Sequence, residues 1–253
     1  LSVEFRLLGS LEVREQGKPV GLGGPRQRAV LAHLLLRVNQ TVSADLLIDQ
    51  VWGDDPPDAA RSTLQSYISH LRKALGDGHR IEGHPPGYVL KAEPSEIDAA
   101  RFEELVRDAR RSFKRDPEGA ATRLDEALAL WRGPALADLG DEPSLQPEIA
   151  RLEELRLGAV EDRVEAVLSV DRHAEVVGEL ETLTASHPLR ERLWGQLMVA
   201  LYRSGRQAEA LDAFARVRAM LAEELGIDPT TELQRLHEQI LRQDPTLDVA
   251  RTL

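Results

Sequence analysis

The 253-residue chain contains no cysteine. That excludes disulfides, thiolate ligands and a cysteine nucleophile, and it suits a reducing cytoplasm. Aromatics are scarce at 4%. The abundance of Ala, Leu and Arg favours packed helices instead. No apolar run reaches membrane-spanning length and no signal peptide opens the chain. GxxxxGK(S/T), HExxH, GxSxG and a dinucleotide GxGxxG fingerprint are all missing, which argues against an enzyme. Asp77, His79 and His84 are of metal-ligating types, but their loop spacing and two nearby prolines argue against a site. No cofactor and no metal is expected.

What is present bounds the architecture. The length calls for one large or two modest domains, and a 42% apolar fraction supplies their cores. The chain opens on Leu1 rather than Met and stops at Leu253 without a closing element. It is therefore expected to be a piece of a longer protein. A net charge of −11 is unlike a generic nucleic-acid binder. The distribution of that charge matters more than its sum. Residues 1–90 hold ten Lys/Arg and ten Asp/Glu, leaving 22 against 33 in the remainder. The first part is neutral, and the acidity belongs to the second.

In chain order, Val3, Phe5 and Leu7, then Leu11 and Val13, alternate with polar residues as in short antiparallel strands. Pro25 opens a helix running to Leu36. Ser43 is placed to cap a second, Ala44 to Trp52. A third begins near Asp58 and runs to Leu75, and residues 80–82 and 87–90 form a closing hairpin. Strands, two helices, a polar-faced third helix and a hairpin make a winged helix-turn-helix. The third helix carries most of the functional argument. At 100° per residue, Leu64, Tyr67, Ile68, Leu71 and Leu75 share one side. Ser62, Gln65, Ser66, Ser69 and Lys73 share the other, with Thr63, His70 and Arg72 on the flanks. That face has no carboxylate, in an acidic chain. Its bland reading is a solvated amphipathic helix; its functional reading is a helix that enters the major groove.

Glu93-Pro94-Ser95 reads as a linker, and everything after it as helix. The expected domains are 1–93, 94–243 and a frayed tail over 244–253. Asp98 and Asp116 are expected as helix caps, and residues 133–146 as a solvated loop containing Asp138, Asp141 and Glu142. Arg172-His173-Ala174-Glu175 recurs as Arg206-Gln207-Ala208-Glu209, 34 residues on, which is the tetratricopeptide period. The expected fold class is mostly α with small β: an N-terminal winged helix-turn-helix followed by an all-α tetratricopeptide-like domain.

The runs VWGDDPP at 51–57 and LQSYISHLRKALG at 64–76 resemble the Streptomyces antibiotic regulatory protein family. So do PRQR at 25–28, PGYVL at 86–90 and LWRGPAL at 130–136. The resemblance spans residues 3–243. It implies an OmpR-type winged helix, a bacterial transcriptional activation domain, and activation of transcription. It further implies double-stranded promoter DNA bound as direct repeats near the −35 region, a head-to-tail pair on DNA, and recruitment of RNA polymerase through its sigma subunit. Relatives often have Arg or Asn where this chain has His70, which puts the preferred base pattern in doubt. Large members append further domains.

Side-chain chemistry divides the candidate site. Gln65, Ser66, Ser69 and His70 suit base edges, whereas Thr63, Arg72 and Lys73 suit phosphates. Tyr67 fits either a core or a phosphate role. Arg26 and Arg28 combine cations with a helix N-terminus, a natural phosphate grip. His84 sits at the expected wing tip. Two rivals remain: a helical-repeat scaffold that docks proteins, and a DNA-binding repressor.

Overall fold

The computed structural model describes residues 3–76 and 80–248. Residues 77–79, with Asp77 and His79, and residues 249–253 of the expected tail lie outside them. The chain forms two compact units, Leu1–Val106 with Glu126–Leu157, and Arg107–Asp125 with Gly158–Leu253.

In the first unit, β1 (Val3–Arg6), β2 (Glu12–Glu15) and β3 (Lys18–Pro19) form an antiparallel sheet. Val3, Phe5 and Val13 are buried, as strict alternation requires. Then come α1 (Pro25–Leu35), β4 (Val42–Ser43), α2 (Ala44–Trp52), α3 (Ala60–Ala74), β5 (Ile81–His84) and β6 (Gly87–Leu90). Ser43 caps α2 as expected, its hydroxyl accepting from Leu46 N at 3.1 Å. The wing is not a lone hairpin. β4 pairs with β6, so the second sheet runs β4-β6-β5. Gly87 makes this approach possible, because a Cβ there would lie 1.8 Å from the Val42 carbonyl oxygen.

Three stretches behave differently from the sequence expectation. The expected linker at 93–95 is a short 3-10 turn over Pro94–Glu96 with a reciprocal capping box. Arg80 grips Glu96 through two hydrogen bonds of 2.7 Å, and that interaction holds the Glu96 carboxyl below its usual range. Asp98 opens α4 (Asp98–Ser112), but its carboxylate accepts from Leu7 N at 2.7 Å and Leu8 N at 3.1 Å. It thus satisfies backbone donors just beyond β1. Burial raises its pKa against the pull of those bonds. The loop at 133–146 is not simply solvated either. Asp138 accepts from Leu11 N at 2.6 Å, and Leu136 N donates to Leu7 O at 2.9 Å. His33, buried in α1, lies 3.0 Å from Ser144 Oγ.

The second unit is helical. α4, α5 (Pro117–Leu128) and α6 (Gln146–Ser169) each contribute to both units, and α7 (Val177–Ser186), α8 (Glu191–Arg203), α9 (Gln207–Leu225) and α10 (Thr231–Arg242) follow. Asp116 caps α5 by accepting from Gly119 N at 2.9 Å. The 34-residue repeat is physical: Arg172 Nε donates to Glu175 at 2.9 Å and Arg206 Nε to Glu209 at 2.7 Å. Leu193, Leu197, Ala213, Val217 and Ile240 are buried. The beginning of the expected tail is ordered into a turn over Pro245–Leu247, where Leu247 is buried and its carbonyl accepts from Arg203 Nε at 2.7 Å.

Candidate nucleic-acid interface

Helix α3 is oriented by its apolar stripe. Ala60, Leu64, Ile68 and Leu71 are buried, so the 3.6-residue period forces Arg61, Gln65, Ser66, Ser69, His70 and Lys73 outward, and all six are exposed. Ser62 is also exposed but donates back to Ala59 O at 2.9 Å. Short polar side chains in the middle of this face let a helix approach base edges closely. The carboxylates Asp54, Asp55 and Asp58 lie in the loop before it.

The flanking residues have more specific duties. Thr63 is half-buried and its hydroxyl donates to Ala59 O at 3.1 Å. Tyr67, open between two roles in the sequence, stacks on Trp52 with centroids 5.9 Å apart and planes 10° from parallel. It packs α3 on α2, with its edge half-exposed. Arg26 lies over the same indole, its Cζ 6.0 Å from the ring centroid, and remains exposed. Arg72 is half-buried, and its Nε donates to Ile81 O at 2.7 Å, tying the end of α3 to β5.

His84 stands at the end of β5, its Nδ1 3.2 Å from Thr41 Oγ1. An open groove of about 480 Å³ separates the wing from the start of α3, lined by Arg61, Gln65, His84 and Tyr88 among others. The wing and the polar face of α3 therefore border one channel.

Arg28 does not join this face. Its Nε donates to Asp138 at 2.6 Å and its Nη2 to Leu11 O. Both partners lie on the side of α1 away from Arg26, and only 23% of the Arg28 side chain is exposed. The reason is angular: two residues along a helix turn the side chain by about 200°. Arg61 is the converse, a cation that the sequence pattern alone did not single out. It precedes Gln65 by one turn and so shares its face; it pairs with exposed Asp45 at 2.5 Å.

Comparison with known proteins assigns this arrangement. Residues 17–90 match the model described as the C-terminal domain of transcriptional regulatory proteins, and 97–241 match the bacterial transcriptional activator domain. The regulatory protein DnrI of Streptomyces peucetius is 39% identical over 97% of this chain and 94% of its own. The chain belongs to the Streptomyces antibiotic regulatory protein family of transcriptional regulators.

Regulatory protein AfsR of Streptomyces griseus is 44% identical over 97% of this chain, which spans only 25% of that protein's length. Among solved structures, Mycobacterium tuberculosis EmbR in complex with a low affinity phosphopeptide superposes with a TM-score of 0.94 at 41% identity. That match covers 96% of this chain and 66% of EmbR. Among the described residues, no helix of the regulator is long and apolar enough to cross a membrane.

Proposed function

We propose that the regulator is a sequence-specific activator that binds direct repeats in double-stranded DNA near the promoter −35 region and recruits RNA polymerase through its sigma subunit. The observation that carries the reading is the outward face of α3, where Gln65, Ser66, Ser69 and His70 stand exposed beside a wing joined to the same helix. In this reading those four residues contact bases, and Arg26, Arg61, Lys73 and His84 contact phosphates. Thr63 and Tyr67 border the contact, and Arg72 holds the wing in register with it. Two copies sit head to tail on a direct repeat. The charge division supports the reading, since the acidic residues concentrate outside residues 1–90.

Selection of bound sequences from a random duplex pool tests the DNA half of the proposal. A repeated motif with fixed spacing is expected; a pool that never converges would make the chain a scaffold. Reconstituted transcription from the selected site tests the other half, and reduced rather than increased transcript would make it a repressor.

A further inference from the structure

A second groove, of about 510 Å³, lies wholly in the helical unit, between the end of α6, α8 and α10. Leu168, Val199, Leu233 and Leu236 give it an apolar wall, and Glu165, Glu191 and Glu232 line it with carboxylates. Glu191 accepts from Thr230 N at 2.7 Å and from Thr230 Oγ1 at 2.8 Å, and the cations beside the carboxylates are hydrogen-bonded as well. Arg192 donates to Asp162 at 2.9 Å and Glu161 at 3.3 Å. Arg203 spends Nε and Nη1 on the carbonyls of Leu247 and Leu168, both at 2.7 Å.

Two features at the groove carry a cost, one a glycine and the other an unpartnered amide oxygen. Gly195 sits within α8, where glycine is the poorest helix former after proline. It has a negative φ, and an added Cβ would meet Leu233 Cδ1 at 3.5 Å and Leu236 Cδ2 at 3.7 Å, ordinary contacts. Neither strain nor crowding requires a glycine there, and a larger side chain would extend against the leucine wall of the groove. Gln196, 4% exposed, donates Nε2 to Glu161 O at 2.8 Å and to Glu165 at 3.2 Å. Its Oε1 is buried without a partner among the described residues. Turning the amide over would set that oxygen against two acceptors, so the orphan is not relieved by a flip.

We propose that this groove is a docking site for a basic, apolar protein segment, whose aliphatic side chains lie over Gly195 on the leucine wall and whose Lys or Arg meets the three glutamates. With three carboxylates and two hydrogen-bonded arginines in the lining, charge complementarity favours a basic over an acidic or phosphorylated segment. The site is separate from the DNA-reading face and is tested without DNA, so its failure leaves the DNA reading intact.

The test uses the full chain and a short fluorescein-labelled amphipathic helix of Leu and Lys, with a Glu-for-Lys counterpart, a phosphoserine-containing counterpart, and an all-polar Lys/Ser peptide. Anisotropy should show saturable binding of the Leu/Lys probe alone. Glu232→Lys, on an exposed side chain, and Gly195→Leu should each weaken it at least roughly tenfold, the tenfold step corresponding to about 1.4 kcal/mol. Glu224→Lys, an equal charge change on exposed α9, should leave it unaltered. No binding of the Leu/Lys probe, equal binding of the Lys/Ser peptide, preference for the phosphorylated peptide, or equal losses from Glu232→Lys and Glu224→Lys would each overturn the proposal. Should Gly195→Leu fail to fold, the pair of charge reversals decides.

Discussion

The Nε of Arg72, on α3, donates to the carbonyl of Ile81, on β5, at 2.7 Å. The last turn of α3 and the first residue of the wing are thus one hydrogen-bonded unit. A charge on this helix reads naturally as a phosphate contact, and the two roles separate experimentally. Arg72→Gln keeps a donor for Ile81 and removes the charge; Arg72→Ala removes both. If the pin is the larger effect, Gln retains more affinity than Ala on every sequence, and each leaves the slope of log K against log salt nearly unchanged. A pure phosphate contact predicts equal losses and a slope smaller by about 0.9. Anisotropy titrations over a salt series distinguish the outcomes.

Gly87 carries the other joint of the wing. A Cβ 1.8 Å from Val42 O cannot be absorbed by rotating a side chain, because the obstructing atom is backbone. Gly87→Ala must push β6 from β4 and break the Val42–Tyr88 and Ser43–Gly87 register. The local cost is on the order of 3 kcal/mol. Expected are faster amide exchange at the wing and weaker DNA binding, with helical circular dichroism unchanged. Wild-type exchange at Tyr88 in the variant would show that the strand accommodates the methyl group.

Arg28 should behave unlike Arg26. Removing Arg28 leaves Asp138, which also holds Leu11 N, without its cation in a partly buried setting. Arg28→Ala is expected to lower stability by about 1–2 kcal/mol, with the partial exposure keeping the figure low, and to leave the salt slope of DNA binding intact. Arg26→Ala should do the reverse. Denaturant unfolding and salt-dependent binding on both variants provide the check, and a shallower slope for Arg28→Ala would return it to the DNA face.

The contrast between these arginines shows where the sequence is readable. α1, α2 and α3 announce themselves through apolar periodicity, Pro25 and the Ser43 cap, and the outward face of α3 follows from the buried one. The same angular rule, applied to Arg26 and Arg28, puts them on different sides of α1 from their spacing alone. β4 is different: two residues cannot display a period, and only Gly87, as the residue that permits close approach, hints at it. Least legible are the polar stitches. Asp98 serves backbone donors about 90 positions away and Asp138 one 127 away; no local pattern encodes such a pairing. Hence the stretch at 93–95 resembled a linker and the loop at 133–146 a solvated one, when both are hydrogen-bonded into the first unit.

His70 is exposed on α3 between Ser66 and Lys73, with no hydrogen bond or ion pair among the described residues. In the proposed complex its imidazole reads one base. His70→Ala should relax preference at a single position by about 1–3 kcal/mol while leaving affinity for unrelated DNA nearly intact. Comparison of binding-site preferences before and after the change decides it, and an unaltered preference would remove His70 from base reading.

His33 makes the fold itself sensitive to acid. It is 1% exposed in α1 beside Ser144. Burial, reinforced by the charge of Arg37, lowers its pKa from 6.5 to about 4. An unfolded chain takes up this proton near its ordinary pKa, whereas the folded one refuses it until about pH 4. The unfolded state therefore binds more protons across that interval, so this contribution to stability is complete above the unfolded pKa and is lost as pH falls towards the folded one. Between pH 7.5 and pH 5 the loss attributable to His33 is about 2 kcal/mol. His33→Gln keeps a polar group within reach of Ser144 but cannot protonate. It is expected to be less stable than wild type at pH 7.5, through imperfect packing, yet to lose about 2 kcal/mol less on acidification. Urea unfolding of both proteins at the two pH values measures the difference. Parallel acid sensitivity would place the titrating group elsewhere.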